Sequence, residues 1–223
     1  MPYRLRDNVT YCRVDGHLVF LDLEQDRYFR LSDRMESVLL ACLHGDTQPG
    51  PDISDLVQRN VLTQNSGGEN RTQFRVSQPP LRSAIEQKID APQIDVPVML
   101  EVLAIVYSMQ LQLKTRRLMH LIDALVGYRR RKVANNSSGQ DEATLLQAAS
   151  LFRRARLYVP IETCCLLDSL SMLRFLARRR LSSSLVFGVT QDPFAAHCWV
   201  QAGGWVLNDT IGNAIAHTPI REI

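Results

Sequence analysis

Short runs of alternating apolar and polar residues open the chain. Val9 to Arg13 predicts a strand, Asp15-Gly16 is a hairpin-turn signal, and Leu18 to Leu23 is rich in strand formers. After the polar turn Glu24-Gln25-Asp26, Arg27 to Leu31 alternates again and predicts a third strand. The period then changes. Met35, Val38, Leu39, Cys42 and Leu43 recur at helical spacing. Asp33 as cap and Glu36 three residues on read as a capping box, and Gly45 suits a left-handed stop. A short helix over 52–58 turns Ile53, Leu56 and Val57 inward. Residues 64–70 read as a polar loop, and Phe74 and Val76 fit one further strand.

Pro79-Pro80, Pro92 and Pro97 interrupt the pattern and place a domain boundary within 80–95. Beyond it, apolar positions follow helical periods over 98–109, 115–130, 141–156 and 163–179. The last of these puts Leu166, Leu170, Leu173 and Ala177 on one face. Residues 135–139 form a polar break, and Pro160 ends the third helix region. Strand patterns follow at 184–189, 197–201 and 205–209. Helices followed by an antiparallel sheet define an α+β domain. The expected organisation is a first domain over 1–80, a linker over 81–94 and a second domain over 95–223.

Composition narrows the class. With 223 residues and 45% hydrophobic content, the chain can bury real cores, which argues against wholesale disorder. No stretch is read as approaching the roughly 20 apolar residues that span a bilayer. The start, Met1 to Arg6, lacks the apolar core of a secretory signal. A cytoplasmic protein without a membrane partner is expected. The five cysteines, Cys12, Cys42, Cys164, Cys165 and Cys198, include no CxxC pair, which disfavours structural zinc, and a disulfide framework is disfavoured in a cytosolic chain of this size. No metal is expected. Net charge is +3 but uneven, −2 over 1–94 and +5 over 95–223. The basic runs at 129–132, 153–156 and 178–180 read as solvated helix ends, and no nucleic-acid recognition motif accompanies them.

A cysteine nucleophile needs a lowered thiol pKa, a base within hydrogen-bond reach and a group that orients the base. Cys165 falls in the first turn of a predicted helix, where the helix dipole favours thiolate. His197 opens one predicted strand and Asp209 ends the next. If Gln201 pairs with Trp205 across a three-residue loop, His197 faces Asp209 directly, about 5 Å apart at Cβ. A strict two-residue Gly203-Gly204 turn puts them on opposite faces, so a three-residue loop or bulge is expected. Cys164 and Cys165 are neighbours and cannot share a helix face.

Four runs carry a resemblance. They are Cys165-Leu166, the strand Leu185 to Val189, Pro193 to Val200 with His197 and Trp199, and Gly203 to Asp209. Together they resemble the transglutaminase-like, papain-like cysteine peptidase domain of lasso-peptide B proteins. Aligned on that pattern, Cys165 rather than Cys164 is the nucleophile, His197 the base and Asp209 the orienting acid. Residues 18–31 and the helix after them are similar to the small winged-helix-like leader-recognition domain of peptide-modifying enzymes, related to the pyrroloquinoline-quinone chaperone (PqqD-like) fold. The resemblance implies a leader peptide added as a strand near Arg27, Tyr28, Phe29, Arg30 and Leu31. It also implies hydrolysis of the leader–core bond of a ribosomal lasso-peptide precursor, so that the core N-terminus is free for cyclisation. An asparagine-synthetase-like lasso cyclase is the implied partner. No phosphate-binding loop is present here, so no cofactor is expected in this chain and ATP would enter through the cyclase. An acyl-transferase of the same fold and a leader-docking scaffold are the alternatives.

Overall fold

The protein is described by a computed structural model that covers residues 3–45, 50–64, 79–89, 93–133 and 141–223. It divides into two compact units, Met1–Arg75 and Val76–Ile223.

The first unit runs β1 (Tyr3–Leu5), β2 (Val9–Val14), β3 (His17–Asp22), β4 (Arg27–Arg30), α1 (Asp33–His44), α2 (Pro51–Gln58) and β5 (Leu62–Gln64). β2, β3 and β4 form an antiparallel meander, and β1 pairs with β5. The Asp15-Gly16 turn takes positive φ at both residues, 48° and 87°, the geometry of a two-residue I′ hairpin. Its register aligns Tyr11, Phe20 and Phe29 across three strands, with ring centroids 5.6 and 5.1 Å apart. Phe20, Leu39 and Leu56 are wholly buried beneath this row.

Two expectations change here. α1 is capped at Ser32 without a side-chain bond, and Asp33 is already helical. Glu36 does not close a capping box; it is buried, and its Oε1 accepts the Leu18 amide at 3.1 Å. A buried carboxylate needs donors, and here a strand supplies one. The β1–β5 pair, with its strands of three residues each, was not expected. The strand read at Phe74 and Val76 lies outside the described residues, as do 65–70 of the expected loop.

The second unit begins with β6 (Arg82–Ser83), followed by α3 (Val96–Thr115), α4 (Leu118–Val133), α5 (Glu142–Arg156) and α6 (Cys165–Arg178). Then come β7 (Ser184–Gln191), β8 (Phe194–Ala202), β9 (Trp205–Val206), α7 (Ile211–Ala216) and β10 (Thr218–Glu222). The sheet order is β10-β7-β8-β9-β6, antiparallel except that β6 runs parallel to β9. The stretch 81–94 is therefore not a simple linker. Its β6 extends the sheet of the second unit, and the division between units falls before Val76 rather than at 80. A two-residue parallel strand has no periodicity to read, so only pairing reveals it.

α6 is the central helix. It packs against α3, α4, α5 and β8 and buries residues on nearly every side, including Ser169, Leu170, Ser171 and Phe175. A polar residue on a helix buried all round needs a partner, and Ser169 finds one across the fold in the Cys198 carbonyl of β8. α3 corrects the membrane expectation: by length and composition alone it reaches what a bilayer-crossing helix needs. In the fold its Val102, Ile105, Val106 and Met109 are buried, and Glu101 pairs with Arg178 and Arg179 at 2.8 Å each.

Candidate active site

The site lies where β8 loses its neighbour. Observed pairing sets Ala202 opposite Trp205 and Gln201 opposite Val206, so the turn is the two-residue Gly203-Gly204 form, not a three-residue loop. Gly203 takes the positive φ of 56° that the first position of a II′ turn requires. In that register His197 and Asp209 would fall on opposite faces, yet they meet. β9 ends at Val206, so the strand expected over 205–209 forms only over its first two residues. The Leu207 amide still bonds the Val200 carbonyl at 2.8 Å, but the Val200 amide goes to Asn208 Oδ1 at 2.7 Å. The Asn208 side chain thus takes the place of a ladder carbonyl, and the backbone bends free of the strand. Asp209 is placed by that bend, so the pleat no longer dictates its side.

Before Val200, the side of β8 away from β7 carries no strand among the described residues. Its bare polar groups are met by side chains instead. Ser169 Oγ of α6 donates to the Cys198 carbonyl at 3.3 Å and accepts Asn208 Nδ2 at 2.8 Å. Cys165 lies one helical turn before Ser169. The same contact that seals β8 at Cys198 therefore sets Cys165 beside the next residue along the strand, His197.

All three expected residues come together. His197 Nε2 lies 2.5 Å from Asp209 Oδ2, and Cys165 is hydrogen-bonded to both His197 and Cys198. With Nε2 turned to Asp209, Nδ1 is the ring nitrogen left for the sulfur. The Cys198 thiol bond and the His197 bond together pull the Cys165 thiol down to about 4, against the opposing effect of burial. The Asp209 bond, then the Cys165 bond, raises His197 to about 9. Burial pushes the Asp209 carboxyl up, but bonds from His197, the Thr210 amide and Asn213 outweigh it and hold it below its ordinary value. Between these values the resting pair is thiolate and imidazolium, the form in which a cysteine attacks. Cys198 is the counterpart: as donor to Cys165 and deeply buried, it is held well above the ordinary thiol value and stays protonated. Cys164 caps α6 and is exposed, so the two vicinal cysteines diverge as expected.

Several supporting residues escaped sequence reading. Asn213 Nδ2 donates to Asp209 Oδ2 at 2.8 Å and sits 3.3 Å from His197 Nε2. Ser83 Oγ, within the expected linker, donates to the Asp209 carbonyl at 2.6 Å, and Glu86 Oε2 accepts the Ile211 amide at 3.4 Å. His217 is buried with its ring 5.1 Å from that of His197, its Nδ1 bonded to the Asn213 carbonyl at 2.8 Å. Asn213 lies four residues after Asp209, a helical spacing that signals a shared face once a helix start at Thr210 is recognised. Ser83 and Glu86 carry no such local signal.

Gly188 pairs directly with His197. A Cβ there would lie 2.8 Å from Trp199 Cζ3 and 2.9 Å from His217 Cβ. Trp199 is wholly buried and stacks near His197, with centroids 6.2 Å apart, so it has nowhere to move. Gly188→Ala is expected to cost about 1–3 kcal/mol through overpacking. A thermal scan should show a melting point lower by several degrees. An unchanged melting point would contradict this packing account.

The residues expected to bind a peptide, Arg27 to Leu31, lie in and just after β4, an edge strand of the meander among the described residues. Leu31 is buried, and the Arg27 guanidinium stacks 5.0 Å from the Phe29 ring centroid. In the first unit, His17, Asp33 and Glu36 bring ligand-type atoms within 4.8 Å of one another. Glu36 is engaged by the Leu18 amide, so this cluster acts as a tie between β3 and α1.

A thiol at a helix mouth, an imidazole on the adjacent strand and a carboxylate behind it define a transglutaminase-like cysteine site, and residues 105–222 match the transglutaminase-like superfamily. That match spans just over half of the chain, and the chain belongs to this superfamily. It is similar to the microcin J25-processing protein McjB of Escherichia coli, 44% identical over 45 residues, which make up 20% of this chain and 22% of that relative. The chain thus spans about a fifth of the length of the curated relative it matches. No solved structure matches it significantly.

Proposed function

We propose that this chain is a cysteine peptidase that removes the leader from a ribosomal lasso-peptide precursor. The observation that carries this reading is the convergence of Cys165, His197 and Asp209 around a sulfur held as thiolate. The Cys165 sulfur attacks the scissile carbonyl, and the amide of Cys165, at the uncapped start of α6, is a ready donor to the oxyanion. His197 passes its proton to the leaving amine, which becomes the free N-terminus of the core. Water, deprotonated by His197, then releases the leader as a free acid. Asp209 holds the ring and its tautomer throughout.

The similarity to a microcin-processing protein supports the choice of substrate class. Leader docking along β4 is supported by its edge position, where a peptide can add main-chain hydrogen bonds. The released core is then a substrate for an ATP-dependent cyclase, with both enzymes acting in the cytoplasm where the precursor is made.

The test is to incubate the chain with the precursor, with and without the cyclase and ATP, and weigh the products. Hydrolysis yields leader and core whose masses sum to the precursor plus one water. Joined products without added water would instead identify an acyl-transferase, and an intact precursor under both conditions would refute the peptidase reading.

A further inference from the structure

Arg156 ends α5 and is only 6% exposed, unusual for an arginine unless it is fully paired. Its Nε donates to Asp168 Oδ1 at 2.6 Å. One terminal nitrogen donates to the Val159 carbonyl at 3.2 Å, and the other to the Ile161 and Glu162 carbonyls at 2.9 and 3.1 Å. Three of these acceptors are main-chain groups of the irregular segment that leads into Cys165. The fourth is a side chain in the first turn of α6, three residues past Cys165 and so close to its face. Leu157 and Tyr158 in the same segment are largely exposed and contribute little anchoring. Cys164, the cap of α6, makes no capping side-chain bond. The segment entering α6 is therefore tied to the first turn of the helix by one planar fork.

We propose that Arg156 is a positioning residue of this site, fixing residues 159–162 and the first turn of α6 so that the Cys165 sulfur, set beside β8 by the Ser169 contact, meets His197. This rests on the reading of Cys165 as nucleophile. Arg156 touches neither substrate nor sulfur and acts only through the segment it holds. A lysine keeps the charge but offers a point rather than a fork, so it cannot serve a carboxylate and three carbonyls at once.

The experiment follows alkylation of Cys165 by iodoacetamide against pH, resolved by peptide mass, in the full chain carrying Cys164→Ser. No substrate is needed. Arg156→Lys and Arg156→Gln are expected to move the midpoint of the Cys165 profile from about 4 toward ordinary thiol values by one unit or more, which approaches a tenfold loss of thiolate only at pH below the parent midpoint. With precursor, kcat should fall by about tenfold or more while KM changes little. Asp168→Asn keeps an acceptor for Nε and should shift the profile in the same direction by less; it decides the matter if both Arg156 variants fail to fold. Variants that melt lower yet keep the parent's alkylation profile and kcat would reduce Arg156 to a structural role and overturn the inference. A parent in which Cys165 titrates as an ordinary thiol would overturn the nucleophile reading, and this inference with it.

Discussion

Cys165→Ala is expected to abolish precursor cleavage, by a factor of about 10⁴ or more, while the chain stays folded and still binds leader. The sulfur is the group that forms the covalent bond, and an activated nucleophile has no substitute among its neighbours. Cys198 is close but stays a protonated donor, and Cys164 is the exposed cap residue of the helix. Cys164→Ala should accordingly leave turnover within about twofold of the parent. Removing the thiolate leaves His197 and Asp209 paired, so no uncompensated charge is created in the site. Leader affinity, proposed to reside in β4 of the other unit, is read by titrating a labelled leader into both variants. Cleavage that survives Cys165→Ala and dies with Cys164→Ala would invert the assignment.

The second large effect is expected at Asp209. Its hydrogen bond is the first cause of the raised His197 pKa, and it carries the charge that favours imidazolium. Asp209→Asn removes that charge and asks one amide to satisfy His197 Nε2 and Asn213 Nδ2 together. A loss in kcat of about 10²–10⁴ is expected, by analogy with the orienting acid of a serine triad. The pH profile gives a sharper reading. In the parent, activity should rise through an acid limb near 4, where the Cys165 thiolate forms, and fall through a basic limb near 9, where His197 loses its proton. The two groups interact strongly, so these limbs belong to the pair. Because the folded His197 pKa is raised, its protonated form persists below about 9; removing the Asp209 charge must move the basic limb down, toward the ordinary histidine value. A variant that loses activity with both limbs unmoved would mean that Asp209 shapes the bend rather than the charge state.

Much of the fold, and the helix that carries Cys165, was legible from local chemistry. The Asp15-Gly16 hairpin, the helix stop at Gly45 and the helix opening at Cys165 all formed where turn and helix signals placed them. Such features depend on backbone preferences within a few residues, which a single sequence carries in full. The triad residues could be named for the same reason: one stands at a helix start, and the others flank a Gly-Gly turn.

The register argument shows where local reasoning stops. Pleat alternation was right for the two-residue turn that formed, and it placed His197 and Asp209 on opposite faces. They meet only because Asn208 takes the Val200 amide and ends the ladder, an exchange that also requires Ser169 from α6. Glu36 tells the same story in the first unit, where a capping role gave way to a distant strand amide. α7 and β10 were missed because their runs are short and weakly periodic. β6 was missed because a two-residue parallel strand exists only through its partner.

By itself, then, the order of residues determined the α+β class, the two-part organisation and the helix on which the cysteine sits, and it singled out the three side chains proposed to react. Those follow from periodicity and from conformational preferences that act over one or two turns of chain. Tertiary structure alone decided that the sulfur, ring and carboxylate converge, that Cys198 donates to the thiolate, and that Ser83, Asn213 and Arg156 brace the site. Each of these joins groups that are distant in sequence or brought near only by a bend, and a buried polar group takes whatever partner the packed fold leaves within about 3 Å.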